Sequence, residues 1–259
     1  MSVVAVVTAA GSGTRLGANI PKALVELDGD PLIVHAIRGM IAGGVRQIVV
    51  TIPAGYEEDF ARALAQFSPS SDDGKMNSVE SGTDPVRVTC VVGGRTRQES
   101  VARGLAEVDA SVVLIHDAAR CLTPPSVIRR VIEAVEAGAA AVVPVMAVTD
   151  TIKRTVVVAD EETPAHAQPL GATVDRAELR AVQTPQGFAT ELVKRAHAKG
   201  EKLSASELSA APDDAALVEL LGKRVWAVAG SSESLKITTP FDLAVAEFLC
   251  QRRKKDNDV

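Results

Sequence analysis

The chain opens on Val3-Val-Ala-Val-Val-Thr8, which runs without a break into Ala9-Ala-Gly-Ser-Gly-Thr-Arg-Leu-Gly17. The first stretch is β-branched and apolar at odd and even positions alike, the pattern of a strand covered on both faces. In the second, Gly11 and Gly13 bracket a single residue, which lets the backbone aim successive N–H groups at an anion. A plain structural turn accounts for the same two glycines. The loop is not a dinucleotide fingerprint, because the third position of G-x-G-x-x-G holds Leu16 and Pro21 stands where a helix is needed. A G-x-x-x-x-G-K-[ST] phosphate loop is absent.

Outward from this junction, the same alternation repeats. Gln47–Ile52, Val86–Val92, Val112–Ile115 and Ala140–Val145 read as further buried strands. Between them Leu32–Ala42, Tyr56–Phe67, Gln98–Glu107 and Ser126–Ala137 carry helical periodicity. In the last of these, Val127, Val131 and Val135 share a face turned to the sheet, with Arg129, Arg130 and Glu133 outward. Strand and helix in alternation predict an α/β domain with a mostly parallel sheet. Such sheets hold ligands at the carboxyl ends of their strands.

Two segments depart from the alternation. Ser68–Pro85 is rich in Ser, Asp, Gly and Pro, with almost no apolar content, and is expected to be a flexible loop. Residues 149–176 contain two short β-like pieces, Thr151–Val158 and Gly171–Val174, around an acidic, Pro-containing turn. They predict a β-hairpin arm inserted in a single domain spanning 1–259. An isolated hairpin is marginal in water, so the arm is expected to pack on a partner subunit. The basic run Arg252–Lys255 reads as a solvated end.

Composition excludes several classes of function. With 46% hydrophobic and 24% charged residues, the 259-residue chain is an ordinary globular protein. Its aromatic content is 3%, too little for a base-stacking platform, and its net charge of −5 offers no broad field to DNA or RNA. No nucleic acid and no membrane is expected as a partner. Cys90, Cys121 and Cys250 lie far apart, as in a reduced cytoplasmic protein, and give no metal framework. Nothing approaches the ~20 apolar residues of a membrane span, and the N-terminus lacks the basic flank of a secretory signal.

An acidic chain that binds an anion must do so with a few placed cations. Arg15 lies inside the glycine loop and Lys22 follows Pro21. With free N–H groups beyond a strand end, the pair makes a polyphosphate cradle. Asp117, just past Val112–Ile115, stands where a carboxylate reaches a ligand or a hard divalent cation. As an alternative it caps the following turn. His116 is expected to point the other way and pack.

Ordered motifs then identify a resemblance. Ala9-Ala-Gly-x-Gly-x-Arg15-Leu followed by Pro21-Lys22 resembles the signature loop of nucleotidyltransferases that activate sugar and polyol phosphates. Gly93-Gly-Arg-Thr-Arg97-Gln-Glu-Ser100-Val and Ile115-His-Asp-Ala-Ala-Arg120 resemble cytidylyltransferase segments. Asp150-Thr-Ile-Lys-Arg, Thr173-Val-Asp-Arg176, Gln183-Thr-Pro-Gln186 and Leu235-Lys-Ile-Thr-Thr-Pro-Phe-Asp follow in order. Together they are similar to the 2-C-methyl-D-erythritol 4-phosphate cytidylyltransferase family of the non-mevalonate isoprenoid pathway. Ribitol-5-phosphate cytidylyltransferases and an inactive nucleotide-binding homologue are the alternatives.

The resemblance implies a Rossmann-like nucleotidyltransferase fold, with helices on both faces of a twisted sheet. It implies transfer of CMP from CTP to the polyol phosphate, with Mg²⁺ or another divalent cation on Asp117, in a homodimer joined through the arm. Catalytic roles fall on Arg15, Lys22, Asp117 and Lys236. CTP binding falls on Ala9, Ala10, Gly11, Ser12, Gly13, Arg15, Lys22, Gly94, Arg97 and Ser100. Acceptor-phosphate binding falls on Thr151, Arg176, Thr184 and Lys236. Arg120 either reaches phosphate or braces the Asp117 loop, where Cys121 replaces the family's usual Pro. Asp213-Asp214 in place of Asp-Glu, and Ser234 in place of Asn, receive no catalytic role.

Overall fold

The computed structural model describes residues 2–11, 16–17, 19–67, 85–156, 167–202 and 211–257. The valine-rich opening forms β1 (Val3–Thr8), which pairs in parallel with β4 (Gln47–Ile52) on one side and β6 (Val112–Asp117) on the other. A tight antiparallel pair, β2 (Glu26–Leu27) and β3 (Asp30–Pro31), precedes helix α1 (Leu32–Ala42), which leads into β4. Helix α2 (Glu57–Leu64) then connects to β5 (Arg87–Val92), and α3 (Arg97–Ala106) carries the chain back to β6. Helix α4 (Pro125–Glu136) leads on to β7 (Ala141–Ala147).

The remaining strands of the eight-stranded sheet are β10 (Arg180–Val182), β11 (Gln186–Ala189) and β12 (Trp226–Ala229). The order is β10-β7-β11-β6-β1-β4-β5, with β12 also paired to β7. Strand β11 is antiparallel to both its neighbours, and β10 to β7; the other pairings are parallel. Helices α5 (Thr190–Gly200), α6 (Asp214–Glu219) and α7 (Pro240–Asn257) complete the described elements.

Alternation along β1 divides the core in two. Ala5 and Val7 pack with Ile33, Ile37, Met40, Phe60 and Val131 from α1, α2 and α4. Val4 and Val6 face the opposite layer, with Val101, Leu105, Val193 and Val218 from α3, α5 and α6. Helices therefore cover both faces, as the doubly apolar strands require. Val127, Val131 and Val135 of α4 are buried, and Arg129 and Glu133 are exposed.

One strand differs from its sequence reading. Val86–Val92 is expected to be covered on both faces, yet Arg87, Thr89 and Cys90 of β5 are exposed. It lies at the edge of the sheet with only β4 beside it, so both of its faces are only partly covered. A second difference matters more for function: β6 continues past Ile115 through Asp117.

The chain leaves β1 toward β4 and leaves β6 toward β7, in opposite directions along the sheet. A crevice opens between two neighbouring strand ends that part in this way. Thr8 and Asp117, partners in register, stand at its base.

The arm region contains β8 (Ile152–Thr155) and β9 (Leu170–Val174), an antiparallel pair forming a sheet of its own. Its apolar residues find little cover, with Leu170 60% and Val156 39% exposed. The expected loop Ser68–Pro85 lies, apart from Pro85, outside the described residues.

Candidate active site

Past Thr8 the backbone is anchored to the sheet once more, Ala9 N–H donating to the Thr51 carbonyl at 2.9 Å. Ala9, Ala10 and Gly11 then line a cleft of about 400 Å³, within the usual range for small-molecule sites. Lys22 N–H donates to the Gly11 carbonyl at 3.3 Å, which closes the loop and brings Lys22 onto the same wall. Ser12, Gly13 and Arg15 lie outside the described residues.

The opposite wall is built from the β5–α3 turn. Gly93 N–H donates to the Ile52 carbonyl at 2.7 Å. Gly94 N–H donates to Ser100 Oγ at 3.0 Å, and that hydroxyl donates on to the Thr96 carbonyl at 2.9 Å. Ser100 is thus a clip that holds the turn against the first turn of α3. A side chain at Gly94 would place its Cβ 2.2 Å from Glu99 Cβ, so only glycine fits this close approach. Thr96 caps α3 by accepting from Glu99 N–H at 3.0 Å, and Arg97 follows as the first helical residue, facing the cleft.

Asp117 forms the floor. Its carboxylate lies 2.7 Å from Lys236 Nζ, 3.4 Å from Arg97 Nε and 3.3 Å from the Thr8 hydroxyl. Burial pushes its pKa up, but the charges of Arg97 and Lys236 outweigh that and hold the carboxyl well below the usual range. Lys22, Arg95, Arg97 and Lys236 all line the cleft, with Asp117 as the carboxylate among its lining residues. A chain of net charge −5 thus builds a locally positive pocket.

Of the residues singled out from sequence, the fold brings together Ala9, Ala10, Gly11, Lys22, Gly94, Arg97, Ser100, Asp117 and Lys236. Thr184 is not among the lining residues. Its buried hydroxyl accepts from Asp117 N–H at 3.1 Å and meets His116 Nδ1 at 3.0 Å, so it shapes the floor from beneath. His116 points away and packs, as expected, and burial pushes its pKa down to about 4. Arg120 takes the bracing role. It donates to the Ser234 carbonyl at 2.7 Å and lies 3.9 Å from Asp117, tying the end of β6 to the segment that carries Lys236. Thr151 and Arg176 lie apart from the cleft on the arm, where the Arg176 guanidinium donates to the Thr149 carbonyl.

Residues without a sequence-assigned role complete the frame. Gln183 donates to the Ser231 carbonyl at 2.8 Å and accepts from Ser231 N–H at 3.1 Å. Gln186 does the same for α6, donating to Asp213 at 2.8 Å and accepting from Ala215 N–H at 3.1 Å. Asp214 is buried and ion-paired to Arg97 at 2.8 Å. Two neighbouring acidic residues before a helix are the only sequence signal for it, and that signal reads as a cap, the role Asp213 in fact fills.

No cluster of three or more His, Cys, Asp or Glu side chains able to hold a metal occurs among the described residues. One ionised carboxylate facing a positive cleft does not suit a metal that needs an all-protein cage. It does fit Mg²⁺, which takes one or two carboxylates and fills its other positions with water and phosphate oxygens.

Comparison with known proteins shows the family. The model of the family described as 2-C-methyl-D-erythritol 4-phosphate cytidylyltransferase (IspD) matches residues 3–252. A relative of that name from Saccharopolyspora erythraea is 46% identical over 253 residues, covering 95% of this chain and 98% of its own. One from Rhodococcus jostii is 44% identical over 254 residues, with 96% and 95% covered. The crystal structure of the Thermus thermophilus protein of the same name superposes with a TM-score of 0.69 at 31% identity, covering 97% of this chain and 100% of that one.

Proposed function

The chain belongs to the 2-C-methyl-D-erythritol 4-phosphate cytidylyltransferase family, and from that premise we propose which residues of the cleft perform each part of the reaction. The enzyme transfers CMP from CTP to 2-C-methyl-D-erythritol 4-phosphate, giving 4-diphosphocytidyl-2-C-methyl-D-erythritol and pyrophosphate in isoprenoid biosynthesis. A phosphate oxygen of the acceptor attacks the α-phosphorus of CTP. As that P–O bond forms, the bond from the α-phosphorus to the oxygen bridging to the β-phosphate breaks, and pyrophosphate leaves. The nucleophile is already an anion, so alignment and charge are the obstacles rather than proton removal.

Lys22, with Arg15 from the glycine loop, neutralises the triphosphate and the charge that develops on the leaving pyrophosphate. Gly11, Ser12 and Gly13 supply backbone donors to the phosphates, with Ala9 and Ala10 forming the wall. Gly94 and Ser100 take the base and ribose, and the backbone at Gly94 supplies the selectivity that an aromatic-poor chain cannot draw from stacking. Arg97 and Lys236 complete the positive lining, and Lys236 receives the acceptor phosphate. Asp117 is the carboxylate that would hold Mg²⁺, which when bound neutralises charge between phosphate oxygens. Thr184 and Arg120 set the position of Asp117 and of the Lys236 segment.

Thr151 and Arg176 act, on this reading, in the cleft of a second copy. Support comes from the two-stranded arm, whose Leu170 and Val156 stand exposed among the described residues. The molecule is then a homodimer of single nucleotidyltransferase domains joined through residues 149–176. Three free cysteines suit a cytoplasmic enzyme, and no described helix is long and apolar enough to cross a membrane.

The observation that carries this account is the pairing of Arg97 and Lys236 with Asp117, with Lys22 on the wall of the same cleft, at the ends of β1 and β6. Pyrophosphate release with CTP should be rapid with 2-C-methyl-D-erythritol 4-phosphate, absent without acceptor, abolished by EDTA and restored by Mg²⁺. Turnover of ribitol 5-phosphate in its place overturns the choice of acceptor. Activity that persists in EDTA overturns the role of Asp117.

A further inference from the structure

Arg97 is held by two carboxylates, and the one outside the cleft holds it more closely. Its Nη2 lies 2.8 Å from Asp214 Oδ2, against 3.4 Å from Nε to Asp117 Oδ1. Asp214 is 1% exposed, and its other oxygen lies 3.0 Å from His197 Nε2 on α5. His197 is itself buried, and its Nδ1 has no hydrogen-bond partner among the described residues, so the ring proton belongs on Nε2, where Asp214 accepts it. Both oxygens of Asp214 are thus engaged and its plane cannot turn. The helix that carries it is fixed as well, because Gln186 clips Asp213 and the Ala215 N–H to β11.

We propose that His197 and Asp214 form a buried strut that holds the Arg97 guanidinium in place for nucleotide binding, which makes Asp214 a positioning residue of this enzyme. The inference rests on the reading of the cleft as the CTP site. Arg97 is a flexible side chain about one-third exposed, standing at a helix start beside an ionised carboxylate. Without Asp214 its charge would close on Asp117, forming a tighter pair that both draws Arg97 away from the phosphates and masks the carboxylate. Asp214 divides the guanidinium's hydrogen bonds so that neither carboxylate takes all of them. Burial pushes the Asp214 carboxyl up, but the Arg97 charge and the His197 hydrogen bond outweigh it and keep it ionised. The sequence gives no hint of this, because Arg97 and Asp214 stand 117 positions apart.

The test is a double-mutant cycle on CTP affinity, measured by titration calorimetry, with Arg97→Ala, Asp214→Asn and the pair combined. Asp214→Asn should weaken CTP binding about tenfold while the KM for the acceptor stays unchanged, and adding it to Arg97→Ala should cost nothing more. Asp214→Glu, which keeps the charge, should restore much of the loss. CTP affinity unchanged in Asp214→Asn, or additive effects of the two substitutions, overturns the strut while leaving the nucleotide site intact. If Arg97→Ala alone binds CTP like the parent protein, the placement of the nucleotide beside Arg97 fails, and the strut with it. Where Asp214→Asn does not fold, His197→Ala reads the same coupling by releasing only the second oxygen. CTP affinity should fall in it, and affinity equal to the parent protein overturns the proposal.

Discussion

At Asp117, burial and charge act against each other, and charge wins: the carboxyl stays ionised because Arg97 and Lys236 stand beside it. The same cations face the cleft, so a single residue balances a pocket whose other charged lining is positive. Lys22 differs from these two in its place, since it lies across the cleft on the glycine-loop side, its N–H bonded to the Gly11 carbonyl. Its loss should therefore remove charge stabilisation from the leaving pyrophosphate without disturbing the core. We expect Lys22→Ala to lower turnover roughly 100- to 1,000-fold, with circular dichroism and thermal midpoint close to those of the parent protein. Steady-state pyrophosphate release checks this, and activity within a few-fold of the parent contradicts the role of Lys22. At this scale the sequence motifs singled out Lys22, Gly94, Arg97, Ser100, Asp117 and Lys236, and the fold places all six along one cleft. The bracing of Arg120 on Ser234 and the burial of Thr184 were not legible in the sequence, since each depends on which of several possible neighbours the fold supplies.

Among the elements, the helix starts show how local chemistry sets geometry that function then uses. Thr96 caps α3 and thereby sets the direction in which Arg97 leaves the first turn. The segment bearing Lys236 is fixed at both ends. Ile237 N–H donates to the Ala119 carbonyl at 2.9 Å, and Thr239 and Asp242 form a reciprocal cap at the start of α7. Asp242 accepts from the Thr238 hydroxyl at 2.7 Å and from the Thr238 and Thr239 N–H groups, and these bonds hold its carboxyl down to about 2. Asp242→Ala should cost about 1 kcal/mol of stability, read as a lowered midpoint in urea. Because the folded-state value lies below the ordinary 3.8, this contribution is complete above that pH and is lost as the pH falls toward 2. The difference between parent and variant should shrink over that window, and a difference unchanged by acid counts against the cap. Helix and strand positions were largely legible, because hydrophobic period is a property of near neighbours. The covering of β5 was not, since edge or centre is decided by which strands arrive later.

For the whole molecule, an acidic chain with few aromatics first excludes a nucleic-acid surface and then turns out to concentrate Lys22, Arg95, Arg97 and Lys236 around one small cleft. Net charge limits a broad field and says nothing about a pocket. The proposed sharing of sites across a dimer belongs at this scale too. Arg176→Ala and Lys22→Ala subunits should each be nearly inactive alone. Mixed after partial denaturation and refolding, they should regain roughly a quarter of parent activity, since half the dimers are mixed and each carries one intact site. Absence of rescue, with dimers confirmed by sedimentation, contradicts an arm that crosses to the partner.

By itself the sequence determined the α/β alternation, the glycine loop beyond β1 and the family, because each of these is written in residues close together along the chain or in a fixed order of motifs. Only the tertiary structure decided that Asp117 and Thr8 meet at the base of a crevice, that Arg120 braces Ser234 and that Arg97 is divided between Asp117 and Asp214. Those contacts join residues 109, 114 and 117 positions apart. No local period or turn rule specifies such distant pairs, and they follow from strand order and from the way two sheets of helices close over it.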